Sequence, residues 1–400
     1  MALVILLFAL PVGITFYKFV NQTLKSAIQE RRQKDAAQIA NDALTDYMRQ
    51  FSQDVYNGHY DLDALSHPEA FYSAGYSTVS FIPDSVNRTL YINAHGIYGT
   101  TANPLTTKGV EALIQFSSDL TQFGTMFNGT ASLGYSNIVY DGGFYVNGNF
   151  TETGSNVRFR GGPVMVRGNF SGTATTVVDG DAFVSGTLSG ATVNGTRYTY
   201  VPNVTWPTLD FKYYDAHYTY KTTATKDIIF YSTGTFREVG GASYTIPASG
   251  AIVYCDNCNL RIKGIIAGRV TVVAGADAAG NCSSTAGKIT FNDSLYYAGA
   301  SSITASATNS FSALGRNCIA WNKASGNILT VGVNFVQQGT SNMVCEGSSP
   351  GKQWIYGTRT QVITGSGFSG GTAIVYDANL RAYPPPGLPE KALLVNWKLH

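Results

Sequence analysis

Met1 to Tyr17 carry no charged residue. As a helix rising 1.5 Å per residue they would span roughly 25 Å, most of the way across a bilayer. From Phe19 to Tyr56 there is neither Pro nor Gly, and apolar residues recur at Ile28, Ile39, Leu44, Met48, Phe51 and Val55, with three- or four-residue steps from Leu44 onward. This pattern predicts one continuous helix over residues 1–56, roughly 80 Å long. Its outer half is amphipathic and able to dock on a head; its inner half is apolar all round and requires lipid or a bundle of like helices. Pro11 and Gly13 interrupt the apolar run. Proline removes a helical hydrogen bond and clashes with the carbonyl of Leu7, at about 3 kcal/mol in an ordinary helix, so a kink or unwound stretch is expected between Ala9 and Thr15. It is either a simple kink or an unwinding that lets subunits pack, the latter tolerated only where protein buries the freed backbone.

The basic residues Lys18, Lys25, Arg31, Arg32 and Lys34 follow the apolar run. A secretory signal peptide would show the opposite order and a small-x-small cleavage site. With Met1 as initiator, the positive-inside rule places the head in the cytoplasm. With a basic leader removed ahead of Met1, the head lies outside, which suits its composition.

Charged residues make up 13% of the chain, hydrophobic ones 44%, and Gly reaches 43. That balance favours short strands and turns around a sizeable core. The net charge of +2 leaves no footprint for a phosphate backbone, which excludes nucleic acid as a partner. Tyr76–Pro83 and Thr89–Tyr98 read as strands and Thr107–Thr121 as a short helix. From Gly143 the segment GFYVNGNF is echoed at Gly162 (GPVMVRGNF) and at Asp181 (DAFVSGTL), so that Gly148, Gly168 and Gly186 recur at about 20 residues. A short strand with apolar positions two apart, then a glycine corner, is the unit of a solenoid. The strand-like segments 260–275, 288–291, 328–331 and 360–363 extend it with longer loops. The expected fold class is α+β, mainly β: a long N-terminal α-helix followed by a parallel β-helix head. Its divisions are a spine helix (1–56), a linker with connecting strands and a short helix (57–127), a first solenoid section (128–209) and a second with a C-terminal cap (210–400).

A charge-free apolar N-terminus, a long amphipathic helix and a β-rich head together resemble a mature type IV pilin or pseudopilin after prepilin peptidase has removed its leader. Met1 conforms to the family's first position. Ile5 departs from it, since a glutamate is usual there to neutralise a neighbour's N-terminal amine. The resemblance implies an assembly and processing set of Met1, Ile5, Pro11, Gly13 and Phe16. It also implies homopolymerisation into a helical surface filament or fimbrium through the apolar helix, a pilus or type II secretion-like assembly machine, and residence in the inner membrane before assembly. The ending, with Pro384, Pro385 and Pro386 and then Leu394-Val-Asn-Trp397, resembles tails of β-helical pilin-like proteins and would cap an open solenoid end.

Residues for chemistry are sparse. Cys255, Cys258, Cys282, Cys318 and Cys345 all fall in the second half. An odd count leaves one thiol over if pairing is internal, and zinc on Cys255 and Cys258 lacks further ligands at suitable spacing, so disulfides or buried thiols are expected. Sequons occur at Asn21, Asn87, Asn128, Asn149, Asn169, Asn194, Asn203, Asn281 and Asn292, and in the head Asn128, Asn149, Asn169, Asn194 and Asn203 are the candidate glycosylation sites. Asp179 and Asp181 are the nearest carboxylate pair for a glycan-cleaving β-helix, but Asp-Gly-Asp at a repeat boundary reads as a turn. Asp54, His59, Asp61 and Asp63 could approach calcium or form a solvated linker. Tyr213, Tyr214, Tyr218 and Tyr220 offer either a sugar-stacking or subunit-contact surface, or packing under loops. No cofactor or metal is expected. The leading reading is a non-enzymatic structural filament subunit; the alternatives are a minor or tip subunit for adhesion or priming, and a membrane-anchored β-helix enzyme acting on surface polysaccharide.

Overall fold

The structure is a computed structural model that describes residues 2–56, 70–84, 89–202, 204, 206–299, 308–322, 326–338, 343–346, 350–361, 372–389 and 391–399, the side chains of 2–13, 50–56, 70, 83, 326–327, 345, 350–352, 372, 391–394 and 399 lying outside the description. The chain is mainly β with one long helix, and divides into two compact units. One comprises Met1–Gln53, Asp61–Phe116 and Ala392–His400; the other comprises Asp54–Tyr60 and Ser117–Lys391.

In the first unit, helix α1 (Ala2–Tyr56) is helical at Pro11 and Gly13 as elsewhere, so the expected unwinding is not found in the single chain. Strands β1 (Ala70–Tyr72), β2 (Gly75–Asp84), β3 (Thr89–Thr100) and β4 (Asn103–Ser117) form an antiparallel meander, which Lys391–Leu399 extends to five strands beside β4. The helix expected over Thr107–Thr121 is therefore strand to Ser117, with only Asp119–Thr121 in a 3-10 turn. Val110, Ala112, Ile114 and Phe116 are buried alternately along it, a period-2 pattern that pairing with β3 satisfies and a helix would not.

α1 lies on this sheet through Ala36, Ile39, Ala40, Ala43 and Leu44, all buried at the i, i+3, i+4 spacing of one helical face. The approach is very close. A Cβ on Gly96 would sit 2.0 Å from the Ala36 carbonyl oxygen and 2.5 Å from the Ala40 nitrogen. Small residues on both surfaces let the helix axis settle on the strands, and Tyr47 meets Phe81 edge-on at 5.3 Å.

The second unit is a stack of short parallel strands. In its first run the chain visits three ladders in turn: Phe123–Phe127, Ala131–Leu133 and Val139–Asp141, then Gly143–Val146, Phe150–Glu152 and Val157–Arg160, and so on to Arg197–Tyr198. Val164 pairs with both Phe144 and Ala182, the register that the repeated segments predict. The recurring glycines stack, the Gly168 amide donating to the Gly148 carbonyl at 2.9 Å and Gly186 to Gly168 at 3.1 Å. Inside, Phe144, Phe150, Phe159 and Phe170 interlock at centroid distances of 4.8 to 6.2 Å.

The second run builds from Tyr220–Thr222 through Ala251–Cys255, Arg269–Ala274, Ser310–Gly315 and Gly326–Val336 to Pro350–Gln361. That last strand then pairs in parallel with Phe123–Phe127, Arg359 opposite Thr125. In space, the run later in sequence thus precedes the earlier one, and together they make one ladder. The described residues of the connection, 199–219, lie along the outside of that ladder. Trp206 packs on Phe335 at 5.7 Å, and Leu209 and Tyr214 cluster with Ile252, Tyr254, Val273 and Leu314. The segment after Tyr376 lies on the same face, Arg269 donating to the Pro384 carbonyl and the Tyr214 hydroxyl to that of Gly387. With both faces covered, Ala251–Cys255 and Ser310–Gly315 are buried at every position and read as continuous apolar runs. The proline tail is therefore a strap along the ladder, and Trp397, expected to anchor a solenoid cap, stands 48% exposed on the edge strand of the antiparallel sheet.

Where the two runs meet, the interior turns polar. Asn334, Arg359 and Thr125 occupy successive register positions and are buried, as are Gln361 and Glu152. The Arg359 guanidinium donates to Gln361 Oε1 at 3.2 and 3.3 Å. Apolar clusters lie on either side of this layer.

Candidate functional site

The inner half of α1 presents Ile14, Phe16, Tyr17, Phe19, Val20, Leu24 and Ile28 to solvent, with Phe16 and Phe19 at 68% and 64% exposure. Of the assembly residues expected from the sequence, Phe16 belongs to this surface; Ile5, Pro11 and Gly13 lie on the same helix with side chains outside the description, as does Met1 altogether. No helix among the described residues is long and apolar enough to cross a membrane; most of the apolar run precedes Ile14. Lys34 and Glu30 pair at 2.8 Å on the polar surface beyond it. The residues that seat the other half of the helix, Ala36, Ala40 and Ala43, were missed by reading only large apolar side chains; their signal is the same spacing carried by small residues.

Cys255 and Cys258 form one disulfide and Cys282 and Cys318 a second, with Cα separations of 5.4 and 5.0 Å. The first closes the corner after Ala251–Cys255, and the second ties the loop before Lys288 to the strand Cys318–Trp321. Cys345 ends the strand Met343–Cys345, its side chain undescribed. Among the sequons, Asn149 Oδ1 accepts the Asn169 amide at 2.9 Å and Asn169 Oδ1 accepts that of Thr187 at 2.8 Å. Each side chain is exposed at the corner. Asn128 accepts from Asn147, Asn194 donates to Asp179, and Asn203 lies outside the described residues.

The carboxylate pair is engaged in structure. Arg158 forms a two-point bridge to Asp179 at 2.5 and 2.8 Å, which holds that carboxyl below its usual range, and Asp181 Oδ1 accepts the Thr196 amide at 2.8 Å. Among the described residues no three His, Cys, Asp or Glu side chains converge on a metal position. Asp54, His59, Asp61 and Asp63 fall where nothing of their side chains is described.

The tyrosine group separates into two. Tyr214 is buried and Tyr213 packs beside it, stacked on His217 at 4.2 Å. Tyr218 and Tyr220 instead line an open cleft of about 570 Å³ with Lys221, Thr222, Thr223, Lys226, Glu238 and Tyr244. Glu238 is fixed at both oxygens, by the Tyr220 hydroxyl at 2.8 Å and by Lys226. Those two hydrogen bonds hold its carboxyl below the usual range, while burial first and then Glu238 raise the Tyr220 phenol. Lys221 bridges Asp215 and Asp256, which keeps its ammonium charged. This arrangement presents aromatic surface and oriented donors and acceptors.

No protein family and no curated protein matches the sequence. Among solved structures, the competence-associated pilin ComZ from Thermus thermophilus aligns over 92% of this chain and 97% of its own, at 12% identity and a TM-score of 0.33.

Proposed function

We propose that the chain is a structural, non-enzymatic subunit of an extracellular type IV pilus-like filament that polymerises through the inner half of α1. The observation that carries this reading is the division of one helix into two surfaces. Beyond residue 36 its small apolar face is consumed by the sheet, while from Ile14 to Ile28 its large apolar side chains have no cover within their own unit. At about 25 cal/mol per Å² of apolar surface removed from water, seven such side chains favour association strongly. A bundle of identical helices offers each the same surroundings. Before assembly the same segment, with the residues ahead of it, would be held in the inner membrane.

The head is read as a closed parallel β-helix. Successive turns visit three ladders in the same order, and inward residues form its core. The paired cysteines suit an oxidising exterior. A minor or tip position for the subunit is favoured by Ile5, which lacks the carboxylate that would neutralise a neighbour's terminal amine.

Electron microscopy of sheared surface material, followed by mass spectrometry of the filaments, tests the reading. Stoichiometric recovery of this chain makes it the main subunit and trace recovery in filaments a minor one; absence from every filament fraction overturns the proposal.

A further inference from the structure

We propose that the cleft beside the first strand of the second run is a binding site for neutral oligosaccharides. Three features converge there. Tyr218, 48% exposed, presents a ring at the mouth, and aromatic side chains supply a broad apolar platform at small conformational cost. Glu238, whose side chain is one-fifth exposed, is held by Tyr220 and Lys226. A carboxylate with two oxygens and about four lone-pair positions can keep those bonds and accept from a pair of adjacent sugar hydroxyls. Exposed Thr223 adds a hydroxyl to the lining. The volume, about 570 Å³, lies within the range of small-ligand sites, roughly 300 to 1,000 Å³.

Charge decides the class of sugar. The two ammonium groups, Lys221 and Lys226, are already satisfied by Asp215, Asp256 and Glu238. An acidic saccharide or a phosphate would meet the Glu238 carboxylate in the cleft and two ammoniums that carboxylates already neutralise. A neutral saccharide, with hydroxyls that both donate and accept, meets preset partners for each. The inference concerns a single chain and holds whether or not the chain polymerises, so its failure and that of the filament reading are distinguishable.

The test is calorimetric titration of the full chain in detergent micelles with cellotetraose, maltotetraose, chitotetraose and mannotetraose, and with tetragalacturonate as the acidic counterpart. At least one neutral tetrasaccharide should bind saturably, with Kd of about 1 mM or tighter. Tyr218→Ala, at an exposed position, and Glu238→Gln should each weaken it about tenfold or more, while Tyr200→Ala, at an exposed tyrosine just after the first run, should leave it unchanged. Circular dichroism melting identifies any variant that fails to fold, in which case Tyr218→Ala alone decides. Absence of binding by every neutral probe, tighter binding of tetragalacturonate, or unchanged affinity in Tyr218→Ala would overturn the proposal.

Discussion

Two residues show how little room this chain leaves for change. Gly96 has no tolerance for a side chain, because a Cβ there would lie within 2.5 Å of two backbone atoms of α1. Gly96→Ala must push the helix off the sheet, and overpacking of this kind costs about 1–3 kcal/mol or more; chemical denaturation of the full chain in detergent should show that loss. Glu152 is buried near Tyr140, and burial raises its carboxyl to about 7 against two backbone amides that lower it. Its folded pKa exceeds its unfolded value, so the native state binds more protons between about pH 4.5 and 7 and stability falls as pH rises through that window. Glu152→Gln should flatten the dependence, recovering on the order of 2–3 kcal/mol at pH 7.5 relative to pH 4.5, as measured by thermal melts across pH.

At the scale of elements, the loop between Cys282 and Cys318 spans 36 residues and is closed by a disulfide. Loop-closure entropy assigns such a link about 3–4 kcal/mol. The Cys282→Ser, Cys318→Ser pair should lower the denaturation midpoint of the second unit accordingly, whereas reducing agent should leave the doubly substituted chain's response confined to the Cys255–Cys258 link. The elements themselves were unevenly legible. The strands at Gly143, Gly162 and Asp181 could be read because inward side chains alternate between glycine corners. β4 was misread as a helix because its Val-Glu-Ala-Leu-Ile-Gln-Phe segment satisfies both periods locally, and only its partner β3 decides between them. The connection along the ladder, with Trp206, Leu209 and Tyr214, has no period in its apolar residues because they answer to successive rungs of another surface. The cleft was half visible, as a tyrosine cluster, but Glu238 and Tyr244 come from a hairpin that sequence spacing does not bring to Tyr220.

At the scale of the molecule, the repeat pattern conveys that strands stack but not the order in which the two runs stack. That order depends on Arg359 meeting Thr125 across 234 positions of sequence, and no local signal encodes it. The polar layer there would penalise a shifted register, since Arg359 and Gln361 would then enter an apolar layer. Arg359→Met should keep or raise the melting temperature, because an apolar side chain avoids the cost of burying the charge, while refolding yield falls as alternative registers become accessible.

The filament reading rests on the uncovered half of α1, and the most direct measurement is a helical reconstruction, by electron cryomicroscopy, of filaments containing this chain. The expected result is a central bundle of α1 helices in which Phe16, Phe19 and Leu24 are buried against neighbouring copies and the heads lie outside. Filaments held together by the heads, with Ile14 to Ile28 facing solvent, would contradict it.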